Sequence, residues 1–67
     1  MELNIRAIKI AMLDRGMSNA SLAQAIDVHP ATVAKWFGDP SRPQLKDVRR
    51  MAQVLGLKDN EIISQQE

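Results

Sequence analysis

The chain has no cysteine and no tyrosine, and only one histidine, one tryptophan and one phenylalanine. Without cysteine there is no disulfide framework and no thiolate metal site. With a single histidine besides, a structural zinc site is excluded, and no metal is expected. So few aromatics, and no sustained alternation of apolar and polar residues, leave little signal for strands. No apolar run is long enough to cross a membrane, and no signal-peptide pattern is present. A soluble, cytoplasmic protein is expected. Repeats, low-complexity runs and long linkers are also missing, and 67 residues correspond to one domain, residues 1–67. A chain of this size buries only about 60 % of its unfolded surface, so its core is small.

Charge of one sign is scarce too. Nine basic against eight acidic residues leave a net charge of +1. Residues 1–26 carry three basic and two acidic groups, residues 27–44 two of each, residues 45–59 four and two, and residues 60–67 only two acidic. An acidic C-terminal end offsets a mildly basic body. A local basic surface is compatible with this, but a strong long-range field is not.

What the chain does have is helical spacing. Residues 3–15 place Ile5, Ile8 and Met12 on one face, and Gly16 ends the segment. Leu3 and Ile10 fall opposite that face, as surface residues or as part of a protein contact. Ser18 caps a second helix, 19–26, with Leu22, Ala23 and Ile26 inward. A fourth helix, 44–55, carries a stripe of Leu45, Val48, Ala52 and Leu55 with Met51 at its margin, and Gly56 closes it. A fifth, 59–64, carries Ile62 and Ile63, which cannot both face one small core. One of the two is therefore expected to be partly free for a dimer contact.

The third helix is the telling one. Residues 27–40 read DVHPATVAKWFGDP. The residue before a proline is pushed toward extended backbone, which an N-cap needs. Proline suits the first helical position, where a missing N–H costs nothing. His29 is thus an expected N-cap and helix 3 spans 30–37, with Val33 and Trp36 inward. Gly38 is expected to take a positive φ and end the helix, and Pro40 to prevent its restart. The unit is helix, three-residue turn, helix. Five short helices make an all-α bundle with a helix-turn-helix formed by helices 2 and 3.

In order and spacing these residues resemble the Cro/repressor helix-turn-helix family, the lambda-repressor-like fold. Gly16-Met17-Ser18-Asn19, Leu22-Ala23 and Asp27-Val28-His29, followed by Val33 and Trp36, stand where the family has Gly-Leu/Met-Ser-Gln, Leu-Ala and Gly-Val-Ser. Pro43-Gln44-Leu45, Met51-Ala52-Gln53-Val54-Leu55-Gly56-Leu57 and Glu61-Ile62-Ile63 continue the match, which covers residues 5–63. Four positions depart from the pattern. Asp27 replaces a turn glycine. Ser21 replaces the usual Glu, leaving the capping box incomplete. Met12 and Phe37 replace a helix 1–helix 3 Arg–Glu pair, and Asn19 replaces Gln.

The resemblance implies a transcriptional regulator, phage or prokaryotic, acting as a repressor on double-stranded DNA. Such a protein binds as a homodimer and is nucleoid-associated, with no cofactor and no small-molecule ligand. Helix 3 enters the major groove, where base contacts specify and phosphate contacts position. Lys35 is the leading base reader, its ammonium suited to guanine O6 and N7. Ala31 suits a thymine methyl, or is a helix-forming filler. Thr32 and His29 are base or phosphate contacts, or only caps. Asn19, Arg42, Gln44, Lys46 and Arg49 are the phosphate candidates, while Arg50 reads as a solvated charge and Trp36 as core. No residues are placed for catalysis, so no enzyme is expected. A protein-interaction module or accessory subunit on the same fold is the alternative.

Overall fold

Asn4 starts the first helix: its Oδ1 accepts from the Ala7 N–H at 3.1 Å. In the computed structural model, which describes residues 2–64, five helices follow. They are α1 (Ile5–Asp14), α2 (Asn19–Ala25), α3 (Pro30–Gly38), α4 (Leu45–Leu55) and α5 (Asp59–Ile62). The all-α bundle and its helix order are as the spacing predicts. Met1 and residues 65–67, which the single-domain reading and the acidic end with Glu67 include, lie outside the described residues.

Three helices end in the same way. Gly16, Asp27 and Gly56 have φ of 63°, 60° and 68°. In each turn the next residue's N–H reaches back into the helix: Met17 to the Met12 carbonyl at 2.8 Å, Val28 to Ala23 at 2.9 Å and Leu57 to Ala52 at 2.9 Å. These are the 6→1 bonds of the Schellman motif, and they satisfy carbonyls left over at a helix end. Met17, Val28 and Leu57 then pack against the core, so each turn also pins the following chain. The third helix differs from expectation. Gly38 is its last residue without a positive φ, and the stop lies at Asp39, whose N–H bonds the Lys35 carbonyl at 2.9 Å. Pro40 then blocks further turns.

Ser21 completes the capping box that its identity had left open. Its Oγ accepts from the Ser18 N–H at 2.8 Å, while the Ser18 Oγ accepts from the Ser21 N–H at 3.1 Å. A serine hydroxyl, two bonds shorter than a glutamate carboxylate, still reaches the cap backbone.

The core joins Ile8, Ala11 and Met12 of α1, Leu22, Ala23 and Ile26, Val33 and Trp36 of α3, Val48, Met51, Ala52 and Leu55 of α4, and Ile62. Four expectations change. Leu45 is 48 % exposed, because it is the first residue of α4 and helical side chains tilt back toward the N-terminus, past the end of the core. Ile5, in the same position on α1, is only partly buried. Met51 is fully buried and central, since Val48, Met51, Ala52 and Leu55 make the true i, i+3, i+4, i+7 stripe. Leu3 is buried at 3 % exposure instead of lying on the surface. It precedes α1 in extended form, bridges antiparallel to Ile63, and donates its N–H to the Pro40 carbonyl at 2.9 Å. Asn4 N–H to Ile62 O at 2.7 Å and Ser64 N–H to Glu2 O at 2.8 Å complete this seam, which also shortens α1 and α5 relative to 3–15 and 59–64. Ile62 is fully buried and Ile63 only half-buried beside Leu3, so one of the two stays partly free, as expected.

Asp27→Gly is expected to raise stability by about 1 kcal/mol, because glycine adopts left-handed backbone without strain; a thermal melt checks this. Met12→Ala is expected to cost about 2–5 kcal/mol by emptying a buried site, read from denaturant unfolding.

Candidate nucleic-acid interface

α3 is held at both ends. Its N-cap is His29, with extended backbone and Nδ1 accepting from the Ala31 N–H at 3.0 Å. That bond places a lone pair on Nδ1, so the neutral ring carries its proton on Nε2. Pro30 follows at the first helical position. Val33 and Trp36 are buried and anchor the inner side. Ala31 and Lys35, four residues apart and so on one face, are exposed.

Beside this exposed face runs an open groove of about 480 Å³. His29, Thr32 and the edge of Trp36 form one wall, and Arg42, Gln44, Lys46 and Asp47 line the other. The α3–α4 loop brings these two walls together. Pro40 accepts a backbone bond from Leu3, Pro43 is buried, and Ser41 Oγ donates to Asp39 Oδ1 at 2.9 Å. Gln44 is the N-cap of α4, with no hydrogen bond from its own side chain to the helix, which leaves the amide free to meet a ligand. Five of the candidates, His29, Thr32, Arg42, Gln44 and Lys46, thus share one groove. Two cations and neutral donors there suit a phosphate backbone. Asp47 opposes an anion in the same groove, and its carboxylate instead favours the first turn of α4.

The remaining candidates lie apart. Asn19, exposed at the start of α2, lines a second groove with Lys9, Met12, Leu13, Met17 and Phe37. Met12 and Phe37, which stand in place of an ion pair in the family pattern, both line this groove. Arg49 is exposed on α4 and lines neither groove. Arg50 is exposed, as expected, and its Nη1 also donates to the Ile26 carbonyl at 3.4 Å. A cation at the C-terminal end of α2 meets leftover carbonyls there. No spacing signal links Arg50 to a residue 24 positions away. Lys9 carries no sequence signal either, since a lysine at the margin of an amphipathic helix has the pattern of a solvated charge. Among the described residues no group of acidic or histidine side chains could hold a metal, and no helix is long and apolar enough to cross a membrane.

Two helices joined by a tight left-handed turn, the second exposed along one face and flanked by polar groups, define a helix-turn-helix protein. The chain belongs to the Cro/C1-type helix-turn-helix family, whose model matches residues 8–62. This is a family of DNA-binding transcription regulators and not an enzyme family. No curated protein and no solved structure matches the chain.

His29→Ala is expected to lower stability by about 1 kcal/mol through loss of the cap, whereas His29→Asn, which also caps, is expected to melt close to the parent. Duplex binding by the Asn variant then separates any DNA contact of the imidazole from its capping role.

Proposed function

We propose that the chain is a sequence-specific repressor of double-stranded DNA, Cro-like and of phage or prokaryotic origin, acting at the nucleoid in the cytoplasm. Residues 1–67 act as one DNA-binding unit. The observation that carries this reading is the exposed Ala31–Lys35 face of α3 beside the groove of His29, Thr32, Arg42, Gln44 and Lys46. α3 lies in the major groove, Lys35 meets guanine acceptors, and Ala31 meets a thymine methyl. Thr32 and His29 sit where base edge and backbone meet. Arg42, Gln44 and Lys46 hold one phosphate strand, with Arg49 further along α4 and Asn19 on the other side of α3. Bound to an operator, the protein occludes promoter DNA. A homodimer, formed weakly or on DNA, places two copies of α3 about 34–36 Å apart on successive half-sites.

A second reading is a protein-interaction module. The exposed apolar side chains favour it: Ile10 at 53 % and Leu13 at 79 %, both on α1, and Leu45.

Selection from a random duplex library, followed by binding at several salt concentrations, decides between the two. The repressor reading expects affinity to fall steeply with salt. Lys35→Ala is expected to weaken the preferred site by about 1–3 kcal/mol and relax discrimination at one base pair. Arg42→Ala is expected to weaken all duplexes alike and reduce the salt slope by about one unit, and Asn19→Ala to weaken them without changing the slope. Absence of duplex binding at low salt would leave the interaction module.

A further inference from the structure

The B-DNA major groove is about 12 Å wide and an α-helix with its side chains about 10–12 Å across, so a seated helix has a phosphate strand against each edge. Along α3 the two edges are furnished unequally. The Thr32–Trp36 edge faces Arg42 and Lys46. The Phe37 edge borders the second groove, of about 360 Å³, otherwise lined by Lys9, Met12, Leu13, Met17 and Asn19. Asn19 is neutral and releases no counterion on binding. Among the described residues lining this groove, Lys9 is the only one with a charge.

Lys9 is also placed. Its Nζ stands 5.6 Å from the centre of the Phe37 ring. A lysine ammonium on a four-carbon stem is otherwise free to roam. The negative face of an aromatic ring attracts it within about 6 Å. Phe37 is half-buried on the core, so the ring is itself fixed. The family resemblance puts an Arg–Glu pair at the positions of Met12 and Phe37. In this chain that pair is apolar, and Lys9, one helical turn before Met12, supplies a cation over the ring.

We propose that Lys9 is the ionic anchor for the phosphate strand on the Phe37 edge of α3, with the Phe37 ring as the residue that positions it. Asn19 adds a neutral hydrogen bond beside it. α1, outside the helix-turn-helix, thereby takes part in DNA binding, and the two strands are held by different elements: one by the α3–α4 loop and α4, the other by α1 and α2. Lys9 reads no base, so its contribution is the same on every sequence.

The inference rests on the DNA-binding reading, and the test separates the two. Fluorescence anisotropy with the selected duplex and a scrambled one, across a salt series, compares the parent with Lys9→Ala, Lys9→Arg and Phe37→Leu, each checked by its melting curve. Lys9→Ala is expected to melt like the parent, to lose the same factor of affinity on both duplexes, and to lower the salt slope by about 0.9. Lys9→Arg is expected to keep the slope. Phe37→Leu, which keeps an apolar side chain but no ring, is expected to weaken both duplexes, and adding Lys9→Ala to it is expected to cost less than in the parent. A folded Lys9→Ala protein with the parental slope would overturn the anchor while leaving the DNA-binding reading intact. Parental affinity in Phe37→Leu would overturn the positioning role of the ring. A parent that binds neither duplex would overturn the reading beneath both.

Discussion

The left-handed turn is the device on which this fold depends. A chain whose longest helix has 11 residues cannot define its shape by helix length. It is defined by how each helix hands over to the next. At Gly16, Asp27 and Gly56 one residue reverses its φ, the next sends its N–H back to a carbonyl five positions earlier, and its apolar side chain enters the core. The hydrogen bond sets the angle of exit and the buried side chain prevents it from opening. The Asp27 turn matters most, because it sets the direction of α3 from α2. It is also the one built without glycine, and there Arg50 reaches across from α4 to the Ile26 carbonyl. That turn is thus tied to a distant helix.

Burial and aim are coupled through α3. Val33 and Trp36 fasten its inner side, leaving Ala31 and Lys35 outside with no choice of rotation. His29 and Pro30 fix its start, and Asp39 with Pro40 its end. A helix of nine residues is marginal alone, so its rigidity comes from these anchors and not from its own hydrogen bonds. That is what a recognition element requires: side chains already in place lose little entropy when they meet a partner. The division of labour follows. α3 carries a single cation, Lys35, while most of the positive charge stands on the loop, on α4 and on α1.

Residues close in sequence disclosed most of this. Helix order, the caps Ser18 and His29 and the inward faces of α2 and α3 all rest on interactions within about four residues. Spacing and backbone chemistry report such interactions directly. The same short range misled at helix ends. Leu45 and Ile5 share the period of the core stripe, but a helix's first residue projects beyond the layer that would cover it. Ser21 lacks the carboxylate of the usual pattern, though the capping box needs only an oxygen at the right distance.

Tertiary contact alone decided the rest. Leu3 becomes core because Pro40, Ile62, Ile63 and Ser64 arrive beside the N-terminal strand of backbone from positions up to 62 residues away in numbering order. Met51 becomes central only when helices from both halves of the chain close over it. Arg50 finds its carbonyl 24 positions away and Lys9 its ring 28 positions away. The grouping of His29 and Thr32 with Arg42, Gln44 and Lys46 depends on the α3–α4 loop folding back on the helix. Periodicity tells which side of a helix is buried, because that depends on the helix's own geometry. Which neighbour covers that side, and which polar groups meet at its edge, depends on loop closure between distant segments, and no local pattern encodes it.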